Sequence, residues 1–133
     1  MAVQPARRVV DERGAAGLAL VVAAAFALVV FVTLANVVTM QFARHALRAA
    51  AEEAVRAGSR AEAPVAECER RARAVIDGLL GPATRDDVVV ACVVSGSPPA
   101  VHARADAALR PWLPGLPVWS VSVEATSTRE VLP

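Results

Sequence analysis

The residues best suited to chemistry are two cysteines and two histidines, and their spacing limits what they can do. Cys68 and Cys92 stand far apart in the chain, and neither His45 nor His102 has a second ligand or an acidic partner at metal-binding spacing. Zinc sites usually take four cysteine or histidine ligands at close spacing. The sequence also offers no carboxylate pair, Ser/His/Asp set or glycine-rich phosphate loop. We therefore expect no enzyme, no metal and no cofactor.

A disulfide is the chemistry that the cysteines favour. Both follow a long apolar stretch, so they would meet an oxidising compartment if that part of the chain lies outside the cytoplasm. A bond between Cys68 and Cys92 would close a loop of about 25 residues and stabilise the fold by roughly 3–4 kcal/mol on chain-entropy grounds. Two buried free thiols or an intermolecular bridge are the alternatives.

The element that positions the rest is the uncharged stretch over residues 14–43, between Arg13 and Arg44. As a helix rising about 1.5 Å per residue it would be roughly 45 Å long, whereas a bilayer core needs only about 20 residues. A secretory signal has a shorter apolar region of about 7–15 residues, and the rest of the chain is too short to wrap a buried core helix. The stretch predicts a transmembrane helix.

The charges on either side of the span bear on its orientation. Residues 1–13 form an expected cytoplasmic stub, in which Arg7, Arg8 and Arg13 favour a cytoplasmic N-terminus. Further arginines on the other side weaken this asymmetry: Arg44, Arg48, Arg56 and Arg60. We expect a single-pass membrane protein whose C-terminal domain is extracytoplasmic.

Small and polar residues give the span two candidate contact features. A stripe of alanines falls on one helical face, where small residues let helices approach closely in lipid; it consists of Ala15, Ala19, Ala23 and Ala27. The high alanine content of the chain can also produce such a stripe by chance. Three polar residues near the far end either bond to a neighbouring helix or mark where the helix leaves the hydrocarbon: Thr33, Asn36 and Thr39.

The remainder predicts a small α+β domain. A ladder of opposite charges at i,i+4 spacing continues the helix over residues 44–60 with one exposed face, and Gly58 is read as its C-terminal cap. Residues 61–133 then form the domain, in which Pro64 opens a second helix that runs to about Leu80. Alternating or β-branched runs predict strands over residues 87–95, 101–109 and 118–131.

The predicted fold is thus a long N-terminal transmembrane helix that continues into a small domain, with one helix packed on a three-stranded antiparallel sheet. The proline-rich loop before the last strand carries four large apolar residues: Trp112, Leu113, Leu116 and Trp119. Either these side chains form a partner-contact surface, or the tryptophans close the small core.

Overall charge and composition exclude one class of partner. The net charge is +1, which provides no positive field to gather nucleic acid. All fourteen basic residues are arginine, and together with the richness in alanine and valine this indicates a GC-rich bacterial source.

The layout resembles one family over essentially the whole chain. A charged stub ending in Arg13-Gly14, an apolar helix, a continuing ALRAAAEEAVRAGSR helix and a small sheet ending in VSVEATSTREV are similar to the TadE-like pilus assembly proteins, above all the shorter actinobacterial members. The resemblance implies a pilin-like fold and a role as minor pilin or pseudopilin of a tight-adherence (Flp-type) type IV pilus. It implies as partners other pilin-type subunits, platform proteins of the pilus or secretion machinery, and a prepilin peptidase.

The resemblance also implies a processing site between Gly14 and Ala15. In the family, a prepilin peptidase cuts after a glycine that is followed five residues on by a glutamate, whose carboxylate is thought to neutralise a neighbouring subunit's amino terminus. The corresponding position here is Ala19, and an unpaired amine in an apolar bundle is costly. Either Gly14 is not cleaved, or the subunit sits where no pairing is needed, such as the pilus tip or the membrane platform.

A second class of function fits the same layout. The chain would then be a single-pass binding or regulatory module at the cell envelope, with the apolar loop that carries Leu113 and Leu116 as its contact surface.

Overall fold

The computed structural model describes residues 8–111 and 113–132, with side chains from Gly14 onward. Of the stub expected over residues 1–13, residues 1–7 and the remaining side chains lie outside this description, as does Trp112. The described elements are helix α1 (Arg8–Gly58), helix α2 (Val65–Leu80), a 3-10 helix (Pro82–Asp87) and strands β1 (Val88–Ser95), β2 (Ala100–Leu109) and β3 (Trp119–Thr128). The predicted α+β fold class is confirmed.

Contacts between residues divide the chain into two units, Met1–Val37 and Val38–Pro133. From the sequence, the boundary between the transmembrane helix and its helical extension was predicted after residue 43, where the uncharged stretch ends. The contact boundary comes earlier because Met40 already packs against the core of the second unit and Ala43 is buried.

The sheet has the order β1-β2-β3 with both pairs antiparallel. Its strands lie close to their predicted places, but β3 ends before residue 131. Thr128 pairs with Ala100, the first residue of β2, so β3 stops where its partner strand stops. Helix α2 also starts one residue late, because Pro64 has an extended backbone and stands as the N-cap.

The core of the second unit consists largely of small side chains. The alternation predicted for β2 is confirmed, since Val101, Ala103, Ala105 and Ala107 are all buried. The two helices bury a matching set: Leu47, Ala50, Ala51, Ala54, Val55, Cys68, Ala72 and Ile76. The prediction of a single helix on the sheet was therefore incomplete, because the last turns of α1 also form the core.

Gly58 marks the closest approach of three elements. A Cβ at this position would lie 3.0 Å from Cβ of Cys68 and 3.2 Å from Cγ1 of Val101, so any other residue would push these neighbours away by a few tenths of an ångström. Helix α1 ends at Gly58, where the sequence placed the end of the helix. Gly58 is the last helical residue, and the glycines with positive φ among the described residues are Gly81, Gly96 and Gly115.

We expect Gly58→Ala to destabilise the second unit by about 1–3 kcal/mol, because the added methyl overpacks a site whose neighbour Cys68 is held by a disulfide. Gly78→Ala is the matched control: it is also helical but meets no atom within 4 Å, and it should be neutral or stabilise by about 0.5–1 kcal/mol. Thermal unfolding of the full chain in detergent measures both. Equal stability of the two variants would contradict the close-packing role.

Candidate membrane anchor and contact surfaces

The first part of α1 exposes its apolar side chains. Within the described residues, α1 is the one helix long and apolar enough to cross a membrane, and large side chains such as Leu20, Phe26 and Phe31 are about 70% exposed (72%, 71% and 67%). An apolar surface of this extent marks a site of interaction with lipid or protein. Its length and composition suit a single-pass membrane anchor.

Two polar residues near the end of the span are satisfied within their own helix. The Thr33 hydroxyl donates to the Val29 carbonyl at 2.8 Å, and the Asn36 amide donates to the Val32 carbonyl at 3.0 Å. In hydrocarbon, polar groups have to find partners within the protein. These two hydrogen bonds therefore form within α1 and require no neighbouring helix.

The alanine stripe and the candidate processing site both lie on α1. Ala15, Ala19, Ala23 and Ala27 are exposed and share one helical face. The space around Gly14 is open, and its bond to Ala15 lies inside the helix. A peptidase that reads an extended backbone would have to unwind the helix at this point.

The disulfide is formed between Cys68 and Cys92, which joins α2 to β1 with the two Cα atoms 6.3 Å apart. Both residues are buried, at 0% and 7% exposure. The described residues contain no free cysteine. The internal disulfide is therefore formed, and the two alternatives, buried free thiols and an intermolecular bridge, are not.

The apolar loop residues differ from one another in exposure. Leu116 is 44% exposed, while Leu113 and Trp119 are half-buried. Trp119 is the first residue of β3 and pairs with Leu109, on the same strand face as the buried Val121. None of these three loop residues belongs to the buried core cluster, so Trp119 lies at the margin of the core.

The outer face of the sheet carries a polar network that the sequence analysis missed. Arg104 pairs with Asp106 at 2.9 Å and with Glu124 at 3.2 Å, and His102 Nδ1 lies 3.0 Å from the Thr126 hydroxyl. The alternation along β2 predicts that Arg104 lies on the polar face of the strand. That Glu124 is its partner follows only from the register between β2 and β3.

The pKa of one group in this network is shifted. The hydrogen bond from Arg104, followed by one from Ser122, lowers the pKa of the Asp106 carboxyl. The folded state therefore favours the ionised form, and the resulting stabilisation is present above the unfolded pKa and lost as the pH falls through the folded pKa. Asp106 is exposed to solvent, so solvent screens this contribution.

A charged cleft of about 230 Å³ separates the end of α1 from α2. Glu53 bridges the two helices, with Arg71 at 2.9 Å and Arg56 at 3.6 Å. The cleft is lined by Glu53, Arg56, Ala57, Arg60, Glu67 and Arg71. Among the described residues, no group of three or more His, Cys, Asp or Glu side chains could hold a metal ion. These surfaces are suited to packing and polar contact.

Comparisons with family models, with curated proteins and with solved structures give no match for this chain.

Replacing both cysteines, Cys68→Ala with Cys92→Ala, should lower the stability of the second unit by roughly 3–4 kcal/mol, since a loop of 24 residues in sequence is no longer closed. The melting temperature should fall by at least about 10 °C. Wild-type protein treated with reductant should melt like the double variant, which reductant should leave unchanged. A wild-type melting temperature that is insensitive to reduction would contradict the structural role of the bond.

Proposed function

We propose that this chain is a membrane-anchored minor pilin or pseudopilin, a structural subunit of a tight-adherence (Flp-type) type IV pilus or a related secretion system. The proposal rests on the observation that α1 has both an exposed apolar part and a part buried in the domain core. Over residues 14–37 its apolar side chains are exposed, and from Ala43 to Val55 the same helix contributes buried residues to the domain core. An anchor that is also a core element suits a subunit assembled through its helix.

The mechanism is packing rather than catalysis. Lipid tails are as apolar as leucine, so transmembrane helices associate through close backbone approach and van der Waals contact. The stripe that contains Ala19 and Ala23 offers a face of small, exposed side chains for such an approach. The exposed apolar and small side chains of this part of α1 support a role in contact and assembly.

The proposed topology places the N-terminus in the cytoplasm and residues 61–133 outside it. The bond between Cys68 and Cys92 supports this arrangement, because disulfides persist in oxidising compartments. A prepilin peptidase acting between Gly14 and Ala15 belongs to the proposal. Because Ala19 supplies no carboxylate, we place the subunit at a pilus tip or in the membrane platform, where no neighbouring amino terminus has to be neutralised.

One observation favours a second candidate function. The loop that exposes Leu116 and partly exposes Leu113 and Trp119 would serve a single-pass binding or regulatory module as its contact surface. This alternative predicts a partner bound by the domain and no defined contact along the span.

Cross-linking within the membrane separates the two candidates. The native cysteines are paired, so a single new cysteine is the sole reactive thiol. Ala23→Cys places it on the alanine stripe, and Val21→Cys places it about 200° around the helix at a similarly exposed position. A short thiol cross-linker is added to membranes from the native host, and the partners are identified by mass spectrometry.

We expect Ala23→Cys to yield adducts with other pilin-type or platform subunits, and Val21→Cys to yield far fewer. Equal adducts from both positions, or none from either, would contradict assembly through the stripe. The absence of adducts at both positions, with the protein present in the membranes, would favour the binding module.

A further inference from the structure

Helix α1 and strand β2 run in opposite directions through the second unit. The Cα of Gly58 lies beside Val101 at the start of β2, and the Glu130 amide donates to the Ser59 carbonyl at 2.8 Å. From this point, the buried residues of α1 continue toward the N-terminus of the helix as far as Ala43. Those of β2 continue toward the C-terminal end of the strand as far as Ala107. The end at which the chain enters this unit is therefore the end at which β2 finishes and β3 begins.

Helix α2 leads independently to the same conclusion. Arg71 pairs with Glu53 at 2.9 Å, and Cys68 lies next to Gly58, so α2 runs antiparallel to α1. The C-terminal end of α2 leads through the 3-10 helix to the first residue of β1, Val88, which pairs with Ala107. The beginning of the unit on α1 and the loop between β2 and β3 thus share one end of the domain.

That loop has an apolar surface and few backbone donors. No charged residue occurs from Pro111 to Val123, and Val118 is 57% exposed beside the exposed Leu116. The residues at 111, 114 and 117 are prolines, which have no N–H to leave unsatisfied outside water. Gly115, with φ of 94°, makes the turn that separates Leu113 from Leu116.

Other exposed side chains extend this surface around the same end of the domain. Phe42 on α1 is 54% exposed and Leu79 on α2 is 47% exposed. Two exposed arginines lie close by in the chain: Arg44 shortly follows Phe42, and Arg110 directly precedes the loop. Exposed apolar residues accompanied by arginine are typical of the membrane–water interface, where arginine keeps its charged group in water.

We propose that the loop over residues 113–118 lies in the lipid interface of the membrane that α1 crosses, as a second membrane contact of the domain. Lipid is the occupant because the chain enters the domain at this end directly from residues 14–37, whose exposed apolar surface suits a bilayer. The inference requires the membrane anchor alone and goes beyond the proposed assembly role.

The tryptophans provide a reporter for this contact. The protein has two tryptophans, at positions 112 and 119, and no tyrosine, so its intrinsic fluorescence arises from this loop and the strand start beside it. The full chain is reconstituted at one copy per nanodisc, in a mixture of phosphatidylcholine and phosphatidylglycerol. In a parallel sample the acyl chains are brominated, and bromine quenches nearby tryptophans.

We expect brominated lipid to reduce the emission clearly and the emission maximum to lie toward the blue. Val118→Asp should weaken the quenching, and Leu116→Glu, the second loop variant, should do the same. Val93→Asp is the matched control, because Val93 has the same 57% exposure but lies toward the other end of the sheet, opposite His102. It should quench like wild type. Circular dichroism and the melting temperature establish that each variant is folded.

Emission that does not respond to brominated lipid would overturn the proposal. So would unchanged quenching in both folded loop variants, or an equal loss of quenching in Val93→Asp. Quenching that requires several copies per nanodisc would assign the surface to a second copy of the chain and would also overturn it.

Discussion

The close approach of α1, α2 and β2 at Gly58 is the interaction on which the domain depends. A single methyl group at this position would come within 3.0 Å of Cys68, so the two helices and the sheet meet with no room for a side chain. The alanines of α1 and β2 continue this close packing along both elements. The last turns of α1, from Ala43 to Val55, are therefore part of the core of the second unit.

Small side chains also explain why the disulfide matters. Alanine buries little apolar area, and hydrophobic stabilisation scales with the area removed from water, so a core rich in alanine provides less stability than one of leucine and phenylalanine. A domain of this size is marginal in any case. The bond between Cys68 and Cys92 fixes α2 to β1, and we therefore expect it to contribute a large share of the stability of the domain.

Sequence patterns with strong local contrast predicted the structure well. The uncharged stretch gave the apolar helix, and the alternation of Val101, Ala103 and Ala105 gave the inward face of β2. The contribution of α1 to the core was missed because alanine occurs on both the exposed and the buried face of this helix. Apart from the charge ladder, the residue types therefore do not distinguish the two faces. The packing of Gly58 and the pair of Glu53 with Arg71 are contacts between elements, which local patterns do not encode. The loop residues fell between the two predicted roles, since Trp119 lies at the core margin and Leu116 is exposed.

As proposed above, the chain is a structural subunit that is anchored in the membrane by the apolar part of α1 and whose oxidised domain lies outside the cytoplasm. The most direct measurement of this claim is the intact mass of the protein recovered from membranes, with thiols blocked at lysis and no reductant added. We predict that the chain is found in the membrane fraction, with no blocked thiol and a mass lower than that of the reduced form by two hydrogen atoms. Recovery in the soluble fraction, or a chain with both Cys68 and Cys92 blocked, would contradict it.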